Sequence, residues 1–217
     1  MMNREQGLSE IRRTRIVAIV RGVREDDVEP LAEALLSGGV TVMEVTLNTP
    51  GAPGMIGRLQ RAFGDRMFIG AGTVLDEADL QVALDAGASF VVTPNVDEAV
   101  IRRCAEADVP VFPGAMTPTE IVRAWKAGAT AVKLFPSASL GQGYIKELQG
   151  PLSHIPMIAV GGVDADNIAE FMRIGCYAVG IGGSVINRKE IEAGRFDLIR
   201  ERAARLVQRT APFALPS

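Results

Sequence analysis

The chain is poor in the residues that most often build metal and nucleophile sites, with one histidine and two cysteines among 217 residues. The histidine lies in Ser153-His154-Ile155-Pro156, between a predicted helix and a predicted strand. In an α/β barrel that junction belongs to the floor, opposite the strand ends that carry chemistry. His154 is therefore expected at the surface, and a His-ligated metal or a Ser-His-Asp triad is set aside. No metal and no cofactor are expected. Cys104 and Cys176 show no CxxC or Cys/His spacing and are expected to be reduced core thiols. No apolar run approaches the roughly 20 residues that span a bilayer, so no membrane partner and a cytoplasmic location are expected. The formal charge is −3 and the arginines are scattered, which argues against nucleic acid and for a small-molecule ligand.

What is present is a rhythm. Eight short apolar runs occur at 16–20, 42–47, 67–71, 90–93, 109–112, 131–135, 157–160 and 177–181, separated by amphipathic stretches such as 27–37, 76–86, 97–107, 118–127 and 166–174. Several of these open on Asp, Thr or Pro, and several close on Gly, as helices do. Strands that are apolar on both faces, each followed by a helix, predict a parallel sheet closed as one (β/α)8 TIM barrel over residues 1–217. A doubly wound open sheet is the alternative. Residues 3–13, within the leading segment 1–15, read as an extra helix plugging the barrel floor, and the tail 211–217 is expected to fray.

Two charged residues break the apolar runs. Lys133 sits in Ala131-Val132-Lys133-Leu134-Phe135-Pro136. Apolar surroundings disfavour a lysine's charged form and free its amine to attack a carbonyl, although a strand-end lysine can also snorkel to solvent. Glu44, in Val42-Met43-Glu44-Val45-Thr46, needs a partner or a raised pKa. It suits the proton transfers of imine chemistry, or a structural ion pair to Lys133 or Arg21. A third signal is glycine after the last two strands, Gly161-Gly162 and Gly182-Gly183-Ser184. Barrels often bind phosphate there through backbone N–H groups. Ser184 would add a hydroxyl and begin a short helix.

These segments, with Gly70-Ala71-Gly72-Thr73-Val74-Leu75, Val92-Thr93-Pro94-Asn95 and Thr117-Pro118-Thr119-Glu120, resemble the 2-keto-3-deoxy-6-phosphogluconate (KDPG) aldolases and their relatives acting on 6-phosphogalactonate and 4-hydroxy-2-oxoglutarate. The resemblance covers nearly the whole chain. It implies a cofactor-free class I aldolase in which Lys133 forms a Schiff base, Glu44 is the general acid/base, and Thr73 holds the pyruvyl carboxylate. It further implies that Phe135 and Pro94 wall the imine, that Gly161, Gly162, Gly183 and Ser184 take the phosphate beside Gly182, and that the assembly is a homotrimer. The substrate would be a phosphorylated keto acid giving pyruvate and glyceraldehyde 3-phosphate.

One departure concerns Asn48, where gluconate-type members usually carry a carboxylate-binding arginine. Leu47-Asn48-Thr49-Pro50 and Arg21-Gly22 look galactonate-type, with Arg21 supplying the missing charge, since a guanidinium binds a carboxylate bidentately and an amide does not. Val160, where gluconate-type members often have threonine, leans the same way. Competing readings are a barrel isomerase or synthase that keeps only the phosphate glycines, and a non-catalytic phosphosugar-binding barrel.

Overall fold

The computed structural model describes residues 1–216. Its strands are β1 (Ile16–Val20), β2 (Val42–Thr46), β3 (Phe68–Gly72), β4 (Val91–Val92), β5 (Val111–Phe112), β6 (Gly114–Ala115), β7 (Val132–Leu134), β8 (Met157–Val160) and β9 (Ala178–Ile181). They run parallel in the order β5-β4-β3-β2-β1-β9-β8-β7-β6. Because β5 and β6 flank Pro113, which has no N–H to donate, they are two halves of one staggered strand. Its first half pairs with β4 and its second with β7. The sheet is thus an eight-stranded barrel, as expected, with the fifth strand running past residue 112 to Ala115.

The helices begin where local chemistry starts them. Asp76 and Asp97 cap the helices Glu77–Asp85 and Glu98–Glu106, and Thr117 forms a reciprocal capping box with Glu120 ahead of Pro118–Ala127. Gly128 ends that last helix at φ 110°, a conformation open to glycine.

Two apolar layers result. Outward strand residues such as Met43, Val45, Val132 and Leu134 pack under the surrounding helices, while Val17, Phe68, Phe90, Phe112, Ala131 and Ile158 fill the barrel interior. Phe90 stacks on Phe68 at 4.8 Å between ring centroids. Glycine makes room for these rings, since a Cβ on Gly70 would lie 2.6 Å from the Phe90 ring. The leading helix, Arg4–Thr14, buries Leu8 and Ile11 in the same cluster and closes the floor. His154 is exposed and both cysteines are buried and free.

The tail departs from expectation. The guanidinium of Arg15 donates to the carbonyls of Tyr177 (2.6 Å), Cys176 (2.5 Å) and Phe213 (2.6 Å), and Leu215 N–H donates to Arg12 O at 3.0 Å. Residues 211–215 are therefore tied to the floor, and Ser217 lies outside the described residues. Arg15→Met is expected to cost about 3 kcal/mol, because buried carbonyls lose a charged donor, and to expose the tail to protease. Urea unfolding measures the first and limited proteolysis the second. An unchanged midpoint would show that the three bonds are redundant.

Candidate active site

Alternation along each strand decides what faces the barrel axis. Ala131 and Lys133 of β7 point inward while Val132 and Leu134 point outward, and Glu44 points inward between outward Met43 and Val45. The register sets Glu44 beside Ile19 and Gly70, and Lys133 beside Gly114 and Ile158. Both charges are nearly inaccessible, at 2% exposure for Glu44 and 6% for Lys133. Gly72 makes the carboxylate's place, since a Cβ there would overlap Glu44.

Burial dominates the protonation of both groups. It pushes the Glu44 carboxyl above its ordinary 4.5, with Lys133 and Arg21 opposing. It holds the Lys133 amine below 10.5, opposed by Glu44 and assisted by Arg21. Both shifts favour a neutral amine beside a protonated carboxyl. Neither side chain forms an ion pair within 4.0 Å among the described residues. The Lys133 Nζ lies 4.9 Å from the centre of the Phe135 ring, within cation–π range.

A cleft of about 520 Å³ opens above Lys133 at the C-terminal ends of the strands. Nine of the expected residues line it: Arg21, Lys133, Phe135, Val160, Gly161, Gly162, Gly182, Gly183 and Ser184. Glu44 lies beneath, in a small apolar recess shared with Lys133, Val92 and Val160. Thr73 and Pro94 are outside the lining but adjoin it. Thr73 accepts from the Arg21 guanidinium at 3.3 Å, and it holds φ 57°, a strained value for a β-branched residue. The Pro94 carbonyl packs against Gly114, the register partner of Lys133.

Two expectations need correction. Asn48 is exposed in the turn after β2 and does not line the cleft; its neighbour Thr49 is the buried residue, accepting from Gly22 N–H at 2.9 Å and so fixing the Arg21 loop. Ser184 begins no helix. It sits in a turn closed by Val185 and Ile186 N–H bonds to Gly182 O, and the short helix starts at Arg188 behind an Asn187 cap.

The glycine loop after β8 takes a backbone that side chains disfavour. Gly161 and Gly162 stand at φ 102° and 71°, and a Cβ on Gly162 would lie 2.7 Å from that of Ala138. Among the described residues, the N–H groups of Gly162, Gly183 and Ser184 have no protein acceptor. Buried Ser137 holds the strand ends together, donating to Leu134 O (2.7 Å) and accepting from Val160 N–H (3.1 Å). Sequence reading missed Ile19, Val163, Asp164, Gly180, Ile186 and Arg188 on the cleft wall. Strand alternation would have found Ile19 and Gly180.

Residues 8–202 match the family model described as KDPG and KHG aldolase. A 2-dehydro-3-deoxy-6-phosphogalactonate aldolase of Escherichia coli (strain K12) is 38% identical over 78% of this chain and 83% of its own. A 2-dehydro-3-deoxy-phosphogluconate aldolase of Pseudomonas aeruginosa is 37% identical over 80% and 81%. The structure of a Legionella pneumophila KDPG aldolase, with pyruvate captured as a covalent carbinolamine intermediate, is 27% identical with a TM-score of 0.86, over 93% of this chain and 98% of that one. With its barrel and buried lysine and carboxyl, this chain belongs to the KDPG and KHG aldolase family.

Proposed function

We propose that this protein is a class I aldolase that cleaves 2-keto-3-deoxy-6-phospho sugar acids, with preference for the galactonate configuration. The observation that carries the reading is Lys133, buried at the foot of the cleft with its amine held below the ordinary lysine range beside the Glu44 carboxyl. The neutral amine adds to the substrate C2 carbonyl, and Glu44 protonates the carbinolamine hydroxyl, which leaves as water. The carboxylate so formed takes the C4 hydroxyl proton as the C3–C4 bond breaks. Glyceraldehyde 3-phosphate departs, and Glu44 returns its proton to C3 of the enamine. Water adds to the protonated imine, the proton set free passes to the Glu44 carboxylate, and collapse of the carbinolamine releases pyruvate and neutral Lys133.

Arg21 is the carboxylate-binding candidate, lining the cleft and bonded to Thr73. Phe135 and Pro94 flank the imine, and the glycine loops with Ser184 receive the phosphate. Val160 supports the galactonate preference because an apolar wall offers no hydrogen bond to the epimeric hydroxyl. A homotrimer is the assembly that the family resemblance implies, and sedimentation of the purified chain tests it.

Two measurements test the reading. The galactonate derivative is expected to show kcat/KM about tenfold or more above the gluconate derivative, the scale on which one hydrogen bond discriminates; a reversed ratio would reject the preference. Arg21→Ala is expected to weaken pyruvate binding about 10- to 100-fold, the worth of a charge-assisted contact. Unchanged pyruvate affinity would reject Arg21's role.

A further inference from the structure

We propose that Arg188 is a further substrate-binding residue, which closes on the phosphate and separates phosphorylated from unphosphorylated keto acids. This rests on the aldolase reading and adds to it the one cation that the phosphate end would otherwise lack.

The glycine loops offer N–H donors to a phosphate but no charge, and a dianion in a cleft of about 520 Å³ is held far better when a guanidinium joins the neutral donors. Three cationic side chains line that cleft, Arg21, Lys133 and Arg188. Lys133 is buried among apolar groups at its foot and Arg21 is bonded to Thr73 on the keto-acid side. Arg188, also on the cleft wall, follows Gly183 and Ser184 closely in the chain, and its guanidinium is bonded to no side chain among the described residues.

Its placement is built. The guanidinium donates to the backbone carbonyl of Arg21 at 3.4 Å, a long bond that leaves its other N–H groups free. It lies across Gly22, which stands at φ 63° and where any Cβ would overlap it. No carboxylate pairs with it among the described residues. The one acid on the cleft wall, Asp164, already accepts from the N–H groups of Asp166 (2.9 Å) and Asn167 (3.1 Å). Resting on the carbonyl of Arg21, Arg188 also ties the phosphate end of the cleft to the loop that carries the carboxylate-binding candidate.

The test compares wild type with Arg188→Ala and Arg188→Lys. KM for the 6-phosphogalactonate derivative is expected to rise about 10- to 100-fold in the alanine variant and less in the lysine variant, as the loss of a charge-assisted contact to phosphate predicts. Affinity for inorganic phosphate, measured by calorimetry on the same proteins, should fall in the same order. Pyruvate, which has no phosphate, should be trapped by borohydride as in wild type. Unchanged phosphate affinity in Arg188→Ala would overturn the proposal, as would an equal loss of pyruvate trapping, which would place the residue's effect on the Arg21 loop. The calorimetric arm needs no turnover, so it judges Arg188 even if wild type fails to trap pyruvate and the aldolase reading itself falls.

Discussion

Lys133→Met is expected to lower kcat/KM for cleavage by about 10⁴-fold or more, the scale on which removal of a covalent nucleophile is felt, while leaving the protein at least as stable. The two halves have one cause. Methionine keeps most of the stem that packs between Gly114 and Ile158 and removes an ammonium whose burial is unfavourable. Burial lowers the folded pKa below 10.5, whereas the unfolded lysine holds its proton to about 10.4. Between the two values the unfolded chain binds more protons, so the wild type gains stability as pH rises through that window and carries the full penalty below it. The variant should lose that slope and show no lower urea midpoint near neutral pH. Borohydride should trap no pyruvate on it, and wild-type imine formation should slow as pH falls below the lowered amine pKa. A loss of more than about 2 kcal/mol of stability would instead mark Lys133 as a structural charge, like a buried pair broken on one side.

The features that made Lys133 and Glu44 conspicuous in the sequence are those that the barrel uses. Both interrupt apolar runs, and both take the inward positions of strands whose outward positions are also buried, so hydrophobicity on both faces hid the alternation but not the exceptions. Strand and helix order was legible because each segment carried its own apolar run or cap. The continuation of the fifth strand past Pro113 was not, since proline normally ends a run and here only changes which neighbour is paired. Tail docking depends on Arg15 reaching Phe213 across 198 residues, a contact that no local pattern encodes. Asn48 stands out only by correspondence with a residue type in related sequences, which does not encode that it is exposed while the buried hydrogen bonds of that turn fall to Thr49. Arg188 resembles any solvated arginine until the fold sets it over Gly22.

Glu44→Gln is expected to slow turnover about 10²- to 10⁴-fold, the usual worth of a general acid/base, with a loss that is not confined to carbon–carbon cleavage. Glutamine preserves the shape that Gly72 accommodates, so folding should survive. Burial raises the folded carboxyl pKa above 4.5 against the opposing fields of Lys133 and Arg21. The folded state therefore binds more protons than the unfolded one from about pH 4.3 up to the raised value. Stability falls as pH rises through that window, the penalty is complete above it, and Glu44→Gln should flatten the fall. If Glu44 carries the proton at C3, exchange of the pyruvate methyl protons with deuterium oxide should fall by a similar factor, because that exchange needs the imine and enamine but no aldehyde. A residue that merely shaped the recess would leave exchange near the wild-type rate while cleavage dropped. Equal loss in both reactions identifies a group that moves protons at more than one step, which a single carboxyl beside the amine is placed to do.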